Sequence, residues 1–491
     1  LGKNAAYVGG IAGLNDAEWG SIDATAQNPA ATIQNCVSSM ASDTATNSSR
    51  SALLQALSTY KNTSNQETTT RADYVGGLVG CNGKNAVLTW DNEASTVQIG
   101  AVICGNDFVG GLVGCNDATA KITKTSTSLL TVSGEVTGGK AVGGMIGLNL
   151  APALPAADIK VTEISGALCV GGVIGANMPV AAAGEDAFTI KETTTSGGTV
   201  GRFTTTAKAG RIKADGLAGG IIGCVTQNTK LEGCTNYGIV SHKSAAGGIA
   251  GWNDGSINNC HTYATLGTQQ DGYAYLGGIV GINNRTVTDS APAASITVRG
   301  RYIIGGVAGL NLTDASITYN TSNNIIPVTV QANECAGGVA GVNCGSIALG
   351  GTTLKVNITA ESYAGGIAGS NNKRNDKAAS IAGGEVTGTV TATKSYAGGA
   401  AGANYAEITG VALTGGARVR ANDQFAGGIA GSNRAGNGQN GTITGCTNTA
   451  GQTGNNYTVY ATNGNAGGIA GSNESGAQIV DSVVGGVKIG V

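Results

Sequence analysis

The sequence predicts an all-β protein, a three-sided parallel β-helix (β-solenoid) of about 14–15 coils with roughly 28–34 residues in each coil. A nine-residue phrase such as "YAGGIAGSN" (363–371) occurs fourteen times along the 491 residues. Ten of the thirteen spacings between successive copies lie between 28 and 34 residues. The segments between copies hold β-branched runs and turn residues, and most have no room for an amphipathic helix.

The repeated phrase, called the hallmark below, contains a Gly-Gly pair, an aliphatic residue after the pair and a closing residue. The first glycines of the pairs lie at positions 9, 76, 110, 143, 171, 219, 247, 277, 305, 337, 365, 398, 427 and 467. Thirteen copies close on asparagine, and Val225 is the exception. The first spacing is 67 residues, which predicts either one degenerate coil or a long insertion.

Each repeat has three apolar pieces. The hallmark is followed by a short run around one aliphatic residue, as in "GSIALG" (345–350), and then by an alternating β-branched run, as in "KVNITA" (355–360). We expect each piece to form one strand, so that the hallmark is one wall of the coil.

Equal positions in stacked coils lie about 4.8 Å apart, so each position becomes a ladder. Stacked asparagines hydrogen-bond along such a ladder, and aromatic rings two residues before the Gly-Gly pair stack. The predicted structural ladders comprise Asn15, Asn82, Asn116, Asn149, Asn177, Asn253, Asn283, Asn311, Asn343, Asn371, Asn404, Asn433, Asn473, Tyr7, Tyr74, Phe108, Tyr275, Tyr363, Tyr396 and Phe425. We predict no catalytic, cofactor-binding or metal-binding residue and no cofactor.

Composition excludes several classes of protein. The chain has 28 Lys+Arg and 30 Asp+Glu, a net charge of −2, which gives no reason to expect a nucleic acid as partner. The 83 glycines are not spaced every third residue, so the chain is not collagen. With 41% hydrophobic and 12% charged residues, a folded chain is expected. No run of about 18 apolar residues occurs, so we expect no membrane insertion within this segment.

The phrase "GGLVG" at 76–80 and 110–114 resembles the motif of the GLUG-motif proteins of bacterial surfaces. The resemblance extends over nearly the whole chain, because the other copies are close variants, and the chain is also similar in style to filamentous-haemagglutinin-like adhesins. The resemblance implies an extracellular solenoid on a bacterial cell surface, an adhesin stalk or filament subunit that is not an enzyme.

The acidic residues are the candidates for catalysis by paired carboxylates. These are scattered, at Asp91, Glu93, Glu135, Asp158, Glu163, Glu185, Asp186, Glu407 and Asp423. They form no repeated pair of the kind that glycoside hydrolysis uses. A carbohydrate-binding or carbohydrate-cleaving β-helix is the alternative function, and a passive spacer for an enzyme domain outside this segment is another. The GG-x-x-G phrase is similar to a dinucleotide-binding loop, but a strand rather than a helix follows it.

Two histidines and nearby cysteines raise the question of zinc. His242 and His261 lie in neighbouring coils, with Cys234 and Cys260 close by in sequence. Both cysteines come three residues after an aliphatic residue in adjacent coils, which predicts a core ladder instead of a metal site. The chain has eleven cysteines, and we expect them to fill the core as small hydrophobes, although stacked Cys81 and Cys115 are close enough for a disulfide.

The chain is predicted to be a single β-solenoid over 1–491, a segment of a longer chain or a processed subunit. Side loops are expected at 24–72, which includes a helical-looking stretch at 48–61, and at 178–215. The basic run "NNKRNDK" (371–377) is predicted to be a solvated turn. Neither end of the sequence resembles a polar cap, so the expected partner is another copy, end to end or along the rod, with a host glycan or protein surface at the loops.

Overall fold

The computed structural model describes residues 7–9, 11–15, 32–34, 54–55, 57–61, 67–71, 73–90, 101–124, 130–152, 154, 157–179, 188–190, 193–195, 198–200, 204–205, 211–227, 229–242, 244–263, 266–267, 274–293, 296–320, 325–373, 379–436, 439–451 and 456–491. Two compact units are present, one of residues 1–242 with 249–251 and one of residues 243–248 with 252–491. Within the described ranges every regular element is a β-strand, and the coil strands pair in parallel. The predicted all-β parallel solenoid is confirmed.

Each hallmark forms two strands that belong to different sheets, so the expectation that it forms one wall is wrong. The first strands are Tyr7–Gly9, Tyr74–Gly76, Phe108–Gly110, Ala141–Gly143, Cys169–Gly171, Leu217–Gly219, Ala245–Gly247, Tyr275–Gly277, Ile303–Gly305, Cys335–Gly337, Tyr363–Gly365, Tyr396–Gly398, Phe425–Gly427 and Asn465–Gly467. The second are Ala12–Asn15, Val79–Asn82, Val113–Asn116, Ile146–Asn149, Ile174–Asn177, Ile222–Val225, Ala250–Asn253, Val280–Asn283, Ala308–Asn311, Ala340–Asn343, Ala368–Asn371, Ala401–Asn404, Ala430–Asn433 and Ala470–Asn473.

A bend at the Gly-Gly pair separates the two hallmark strands, and their backbones pack directly on each other. A Cβ atom on Gly365 would lie 1.7 Å from the carbonyl oxygen of Ala368, which leaves no room for any other residue. The amides of Ile367 and Ala368 both donate to the carbonyl oxygen of Ala400 in the next coil. The glycines are therefore required by close backbone approach.

The remaining side of each coil is built from the second and third apolar pieces. In the first unit these strands are Thr32–Gln34, Leu54–Gln55, Val87–Trp90, Ala101–Cys104, Lys121–Lys124, Leu130–Thr137, Ala157–Gly166, Phe188–Ile190, Thr204–Thr205, Arg211–Ala214, Thr229–Glu232, Thr235–Asn236 and Ile239–His242. In the second unit they are Ser256–Asn258, His261–Thr262, Thr286–Thr288, Ala291–Pro292, Thr297–Gly300, Ser316–Thr318, Ile325–Ala332, Ser346–Ala360, Ser380–Ala392, Glu407–Thr409, Ala412–Leu413, Arg418–Ala421, Thr442–Thr444, Thr447–Asn448, Val459–Ala461, Gln478–Val480, Val483–Val484 and Ile489–Gly490.

One coil of the second unit shows how the three sides follow each other. Its hallmark supplies Tyr363–Gly365 and Ala368–Asn371, and the single strand Ser380–Ala392 forms the third side. That strand joins both remaining apolar pieces, and it pairs in parallel with Ser346–Ala360 of the preceding coil. The coil is three-sided because the hallmark provides two of its sides.

The long first spacing is a single coil that carries insertions. Tyr7–Gly9 pairs directly with Tyr74–Gly76, so no additional coil lies between the first two hallmarks. Within the predicted helical stretch, Leu57–Lys61 forms an antiparallel hairpin with Glu67–Arg71, and the expectation of helix there is wrong. Thr59 and Tyr60 in this stretch favour strand over helix. The second insertion holds the hairpin of Thr193–Thr195 and Gly198–Val200, and Ala435–Gly436 with Gln439–Asn440 forms a third.

Small and aliphatic side chains fill the interior of the second unit. In the second unit the residue after a Gly-Gly pair lies in the core, and it is fully buried at Ile279, Ile367 and Ile429. On the third side, Ile347 and Ile381 are in register and fully buried. The same few residues recur at each level, so the core is a set of stacked rows.

Among the described residues, no helix has the length and apolar character needed to span a bilayer.

Candidate functional site

A ladder of asparagine side chains runs through the second unit. The Nδ2 atom of each asparagine donates to the Oδ1 atom of the next at 2.7–2.9 Å, in the order Asn253, Asn283, Asn311, Asn343, Asn371, Asn404, Asn433 and Asn473. All but Asn473 are fully buried. Asn343 also donates to the carbonyl oxygen of Ser380, which joins the second hallmark strand to the third side. Buried amides with this many partners stabilise the stack.

The corresponding ladder of the first unit ends on a different residue. Asn15, Asn82, Asn116, Asn149 and Asn177 are linked in order by bonds of 2.7–3.0 Å. The residue in register with Asn177 is Val225, which has no polar atom in its side chain. Asn177 Nδ2 instead donates to Thr229 Oγ1 at 3.0 Å. Thr229 cannot be identified from the repeat, because it lies four residues beyond the hallmark.

The aromatic residues of the hallmarks form stacked groups. Tyr74 stacks between Tyr7 and Phe108, with ring centroids 5.0 and 5.1 Å apart. Burial, followed by the nearby Cys115 thiol, raises the pKa of Tyr74 to about 12. In the second unit, Tyr396 lies 5.2 Å from Tyr363 and 5.7 Å from Phe425. These distances are those of favourable aromatic pairs.

The first residue of a hallmark packs beside the eighth residue, which is the one just before the closing residue. In the first unit Cys169 packs with Ala141 and Ala176, and Phe108 and Cys224 contact this cluster. The two hallmark sheets therefore face each other outside the core, and their side chains line a furrow.

In the second unit the furrow opens into a groove of about 720 Å³. One wall is formed by first hallmark residues, namely Tyr275, Ile303, Cys335 and Tyr363. The facing wall is formed by Leu310, Val342 and Ser370, each of which precedes a closing asparagine. The volume lies within the range of about 300–1,000 Å³ that is usual for ligand sites.

Polar residues converge at the far end of this groove around Arg434. The Arg434 guanidinium lies 4.6 Å from the centre of the Tyr396 ring, and its Nη1 donates to the Tyr405 hydroxyl at 2.8 Å. Its Nε donates to Ser432 Oγ at 3.1 Å and lies 3.5 Å from a Glu474 carboxylate oxygen. Four neighbours fix this side chain, so the cation is held in one position.

Electrostatics in the groove are balanced. Lys373 and Arg434 line it together with Glu334 and Glu474, two cations against two carboxylates. Burial opposes the charge on Arg434, but Tyr405, Tyr396 and Glu474 outweigh that effect and raise its pKa. Burial raises the pKa of the Tyr363 phenol, with Tyr405 adding to the shift and Arg434 opposing it. The Tyr363 phenol is therefore a neutral hydrogen-bonding group near pH 7.

Among the acidic residues considered for catalysis, Glu135 and Glu163 are register neighbours on adjacent third-side strands, and Glu163 is also in register with Arg211 of the following strand. Asp91, Glu93, Glu185 and Asp186 lie outside the described residues. In the part of the chain that the structure describes, no group of three or more His, Cys, Asp or Glu side chains could hold a metal ion. The backbone of Asp158 is described, while Glu407 and Asp423 are exposed on separate strands or turns.

Three of the four residues considered as zinc ligands, Cys234, Cys260 and His261, contact nearby protein atoms. Cys234 and Cys260 are buried, and each thiol points to a carbonyl oxygen two residues earlier. His261 contacts Ala291 O through Nδ1 and Asn259 Oδ1 through Nε2, both at 3.2 Å. The side chain of His242 lies outside the described residues. Cys81 and Cys115 are register neighbours and are both thiols.

Comparison with protein-family models, with curated proteins and with solved structures finds no match to this chain. The assignment of candidate functional residues therefore depends on geometry. The residue after the closing asparagine is the position that the sequence analysis overlooked, because Asn372, Tyr405, Arg434 and Glu474 all occupy it. The variation of that position among otherwise uniform hallmarks is the sequence signal that would have identified it.

Proposed function

We propose that this chain is a non-enzymatic structural protein of a bacterial surface, an adhesin stalk or filament subunit of the GLUG-motif kind, which carries loops on a stack of coils. The observation that supports this most is the continuous series of buried asparagine bonds within each unit. Such a series has no role in binding a soluble ligand, because its members face the interior and bond to each other.

The asparagine ladder makes every coil a similar mechanical element. To release one coil, its backbone bonds to the next coil on three sides and one asparagine bond must be broken. Solenoid stability is approximately a sum of such nearest-neighbour contributions. An extended protein that transmits force between a cell and a surface requires this kind of distributed resistance.

The close backbone packing of the hallmarks also suits an extracellular role. The two hallmark strands approach each other closely through glycine and small residues, as at Gly365 and Ala368. Backbone packed in this way is closed to proteases, since cleavage requires local unfolding of the chain.

Localisation tests the proposal directly. Antibodies against the chain, applied to intact cells that produce it, are expected to label the cell exterior, and protease treatment of intact cells is expected to remove that label. Labelling only after permeabilisation would contradict the proposal. Incubation with a panel of polysaccharides is expected to release no product, and product formation would favour the carbohydrate-cleaving alternative.

Self-association is the partner that we propose. In the parallel stack each strand pairs in register with the equivalent strand of the next coil, as Thr442–Thr444 does with Gln478–Val480, and the same pairing can join one copy of the chain to another. Val483 lies on the neighbouring strand Val483–Val484. Sedimentation at increasing concentration is expected to show growing assemblies, and Val483→Lys is expected to reduce them. A concentration-independent monomer would contradict this part of the proposal.

A further inference from the structure

The row of first hallmark residues in the second unit is interrupted by two small or aliphatic residues. Tyr275 is followed in register by Ile303, Cys335 and Tyr363. One face of the Tyr363 ring stacks on Tyr396. The other face is turned toward Cys335, which lines the groove beside Tyr363 and whose short side chain cannot cover a six-membered ring. The interruption leaves a notch with an aromatic face at one end.

The notch is part of a longer groove with an apolar half and a polar half. Ile303, Leu310 and Val342 line the half near Tyr275. Asn372, Tyr405 and Arg434 line the other half. Because successive coils are about 4.8 Å apart, a groove that crosses several coils suits a chain-like ligand lying along the stack.

The charges in the groove select against charged ligands. Lys373 and Arg434 are matched by Glu334 and Glu474, and Arg434 already contacts Glu474. A polyanion or a long-chain carboxylate would be repelled by the two carboxylates of the groove. The attraction of the two cations does not exceed that repulsion. An uncharged ligand rich in hydroxyl groups can donate to the carboxylates and accept from the cations and amides.

We propose that this groove binds an uncharged, linear oligosaccharide, with a sugar ring against the free face of Tyr363 and hydroxyl groups bonded to Asn372, Arg434 and Glu474. The C–H face of a sugar provides the apolar surface that packs on an aromatic ring, and its hydroxyls suit the polar half. This inference rests on the groove alone and holds whether or not the chain acts as a surface stalk.

Restoring the interrupted aromatic row provides a blocking variant that preserves the fold. In Cys335→Tyr the new ring would occupy the position that Tyr363 and Tyr396 occupy in their own coils, and it would fill the notch. The matched control is Cys169→Tyr, the same substitution at the same hallmark position in the first unit. A second blocking variant is Ser370→Trp, because Trp252 occupies the equivalent position of another hallmark.

The probes are neutral oligosaccharides of three to six sugars, with gluco-, manno-, xylo- and N-acetylglucosamine backbones, measured by calorimetry and by ligand-observed NMR. Wild type is expected to bind at least one series, and binding is expected to change little with salt because the ligand is uncharged and the charges that line the groove are balanced. Cys335→Tyr and Ser370→Trp are expected to weaken that binding at least about tenfold, about 1.4 kcal/mol, and Cys169→Tyr is expected to weaken it less than about twofold.

Circular dichroism and melting temperature verify that each variant is folded. The inference is overturned if no neutral oligosaccharide binds wild type at about 10 mM, which corresponds to an affinity weaker than the millimolar range. It is also overturned if a folded Cys335→Tyr or Ser370→Trp binds as wild type does, or if only charged glycans bind with a steep dependence on salt.

Discussion

Asn177 Nδ2 donates to Thr229 Oγ1 at 3.0 Å, although the residue in register with Asn177 is Val225. Thr229 is 1% exposed and lies at the start of a third-side strand, so its hydroxyl reaches the ladder from another side of the coil. Where the repeated asparagine is missing, Thr229 supplies the hydrogen-bond acceptor for Asn177, although the repeat pattern does not indicate this residue. The ladder is a requirement of the fold, and the residue that meets it varies.

Replacing this hydroxyl tests the requirement. Thr229→Val keeps the shape of the side chain but leaves the Asn177 amide without its acceptor, which is expected to lower the free energy of unfolding by about 1–3 kcal/mol. Adding Val225→Asn is expected to recover part of the loss, since the usual ladder is then restored. Urea unfolding followed by circular dichroism measures both changes. A loss below about 0.5 kcal/mol, the range of neutral surface changes, would contradict this account.

A ladder asparagine in the second unit is expected to have a larger effect. Asn343→Ala removes bonds to Asn311, Asn371 and Gly345 and leaves several buried polar atoms unsatisfied. The expected loss is about 3 kcal/mol or more. The control is Asn372→Ala, one residue later and partly exposed, which is expected to change stability by less than about 1 kcal/mol. Equal effects of the two variants in urea unfolding would show that the ladder contributes nothing specific.

Hallmark glycines are expected to tolerate no side chain. In Gly365→Ala the new Cβ would overlap the Ala368 carbonyl oxygen, and the backbone around it is fixed by both neighbouring coils. We expect a loss above about 3 kcal/mol or recovery only in the insoluble fraction. Gly485→Ala is the control, because its Cβ would meet no atom closer than 4.0 Å. Soluble yield and melting temperature of the two variants give the comparison, and a stable Gly365→Ala would disprove the packing argument.

Alkaline pH is expected to weaken the first unit. The pKa of Tyr74 is raised from its usual 10.0 to about 12 in the folded chain, chiefly by burial. The unfolded chain then releases the Tyr74 proton at lower pH than the folded chain. Stability from this group is complete below pH 10 and is lost as pH rises from about 10 to 12. Tyr74→Phe retains the stacked ring, as at Phe108, and its melting temperature is expected to fall less steeply over that window. Identical slopes would contradict the assignment.

Repetition is the reason that so much of the fold can be predicted. Fourteen copies at a nearly constant spacing define parallel stacking, and the alternation in "KVNITA" defines a strand. The division of each hallmark into two strands could not be predicted, because a bend at Gly-Gly depends on the backbone of the next coil. The assignment of 1–491 to one solenoid, with side loops at 24–72 and 178–215, stays a prediction.

The groove was beyond sequence analysis for a different reason. Tyr363 and Arg434 are 71 residues apart in the sequence but line one groove. Residues this far apart in the sequence come together because of the register between coils. That register cannot be derived from the sequence, because the third-side strands vary in length. The structure places Lys373 in the lining of the groove, and the assignment of the run 371–377 to a solvated turn stays a prediction.

Single-molecule extension of the purified chain tests the central claim most directly, since the account makes each coil one mechanical element. Pulling on the two ends is expected to release coils one at a time. A coil of roughly 28–34 residues adds about 100–120 Å of contour length at about 3.5 Å per residue, and Asn343→Ala is expected to lower the force of some steps only. A series of steps of that length would support the account. Featureless extension at low force, or steps unrelated to the coil length, would contradict it.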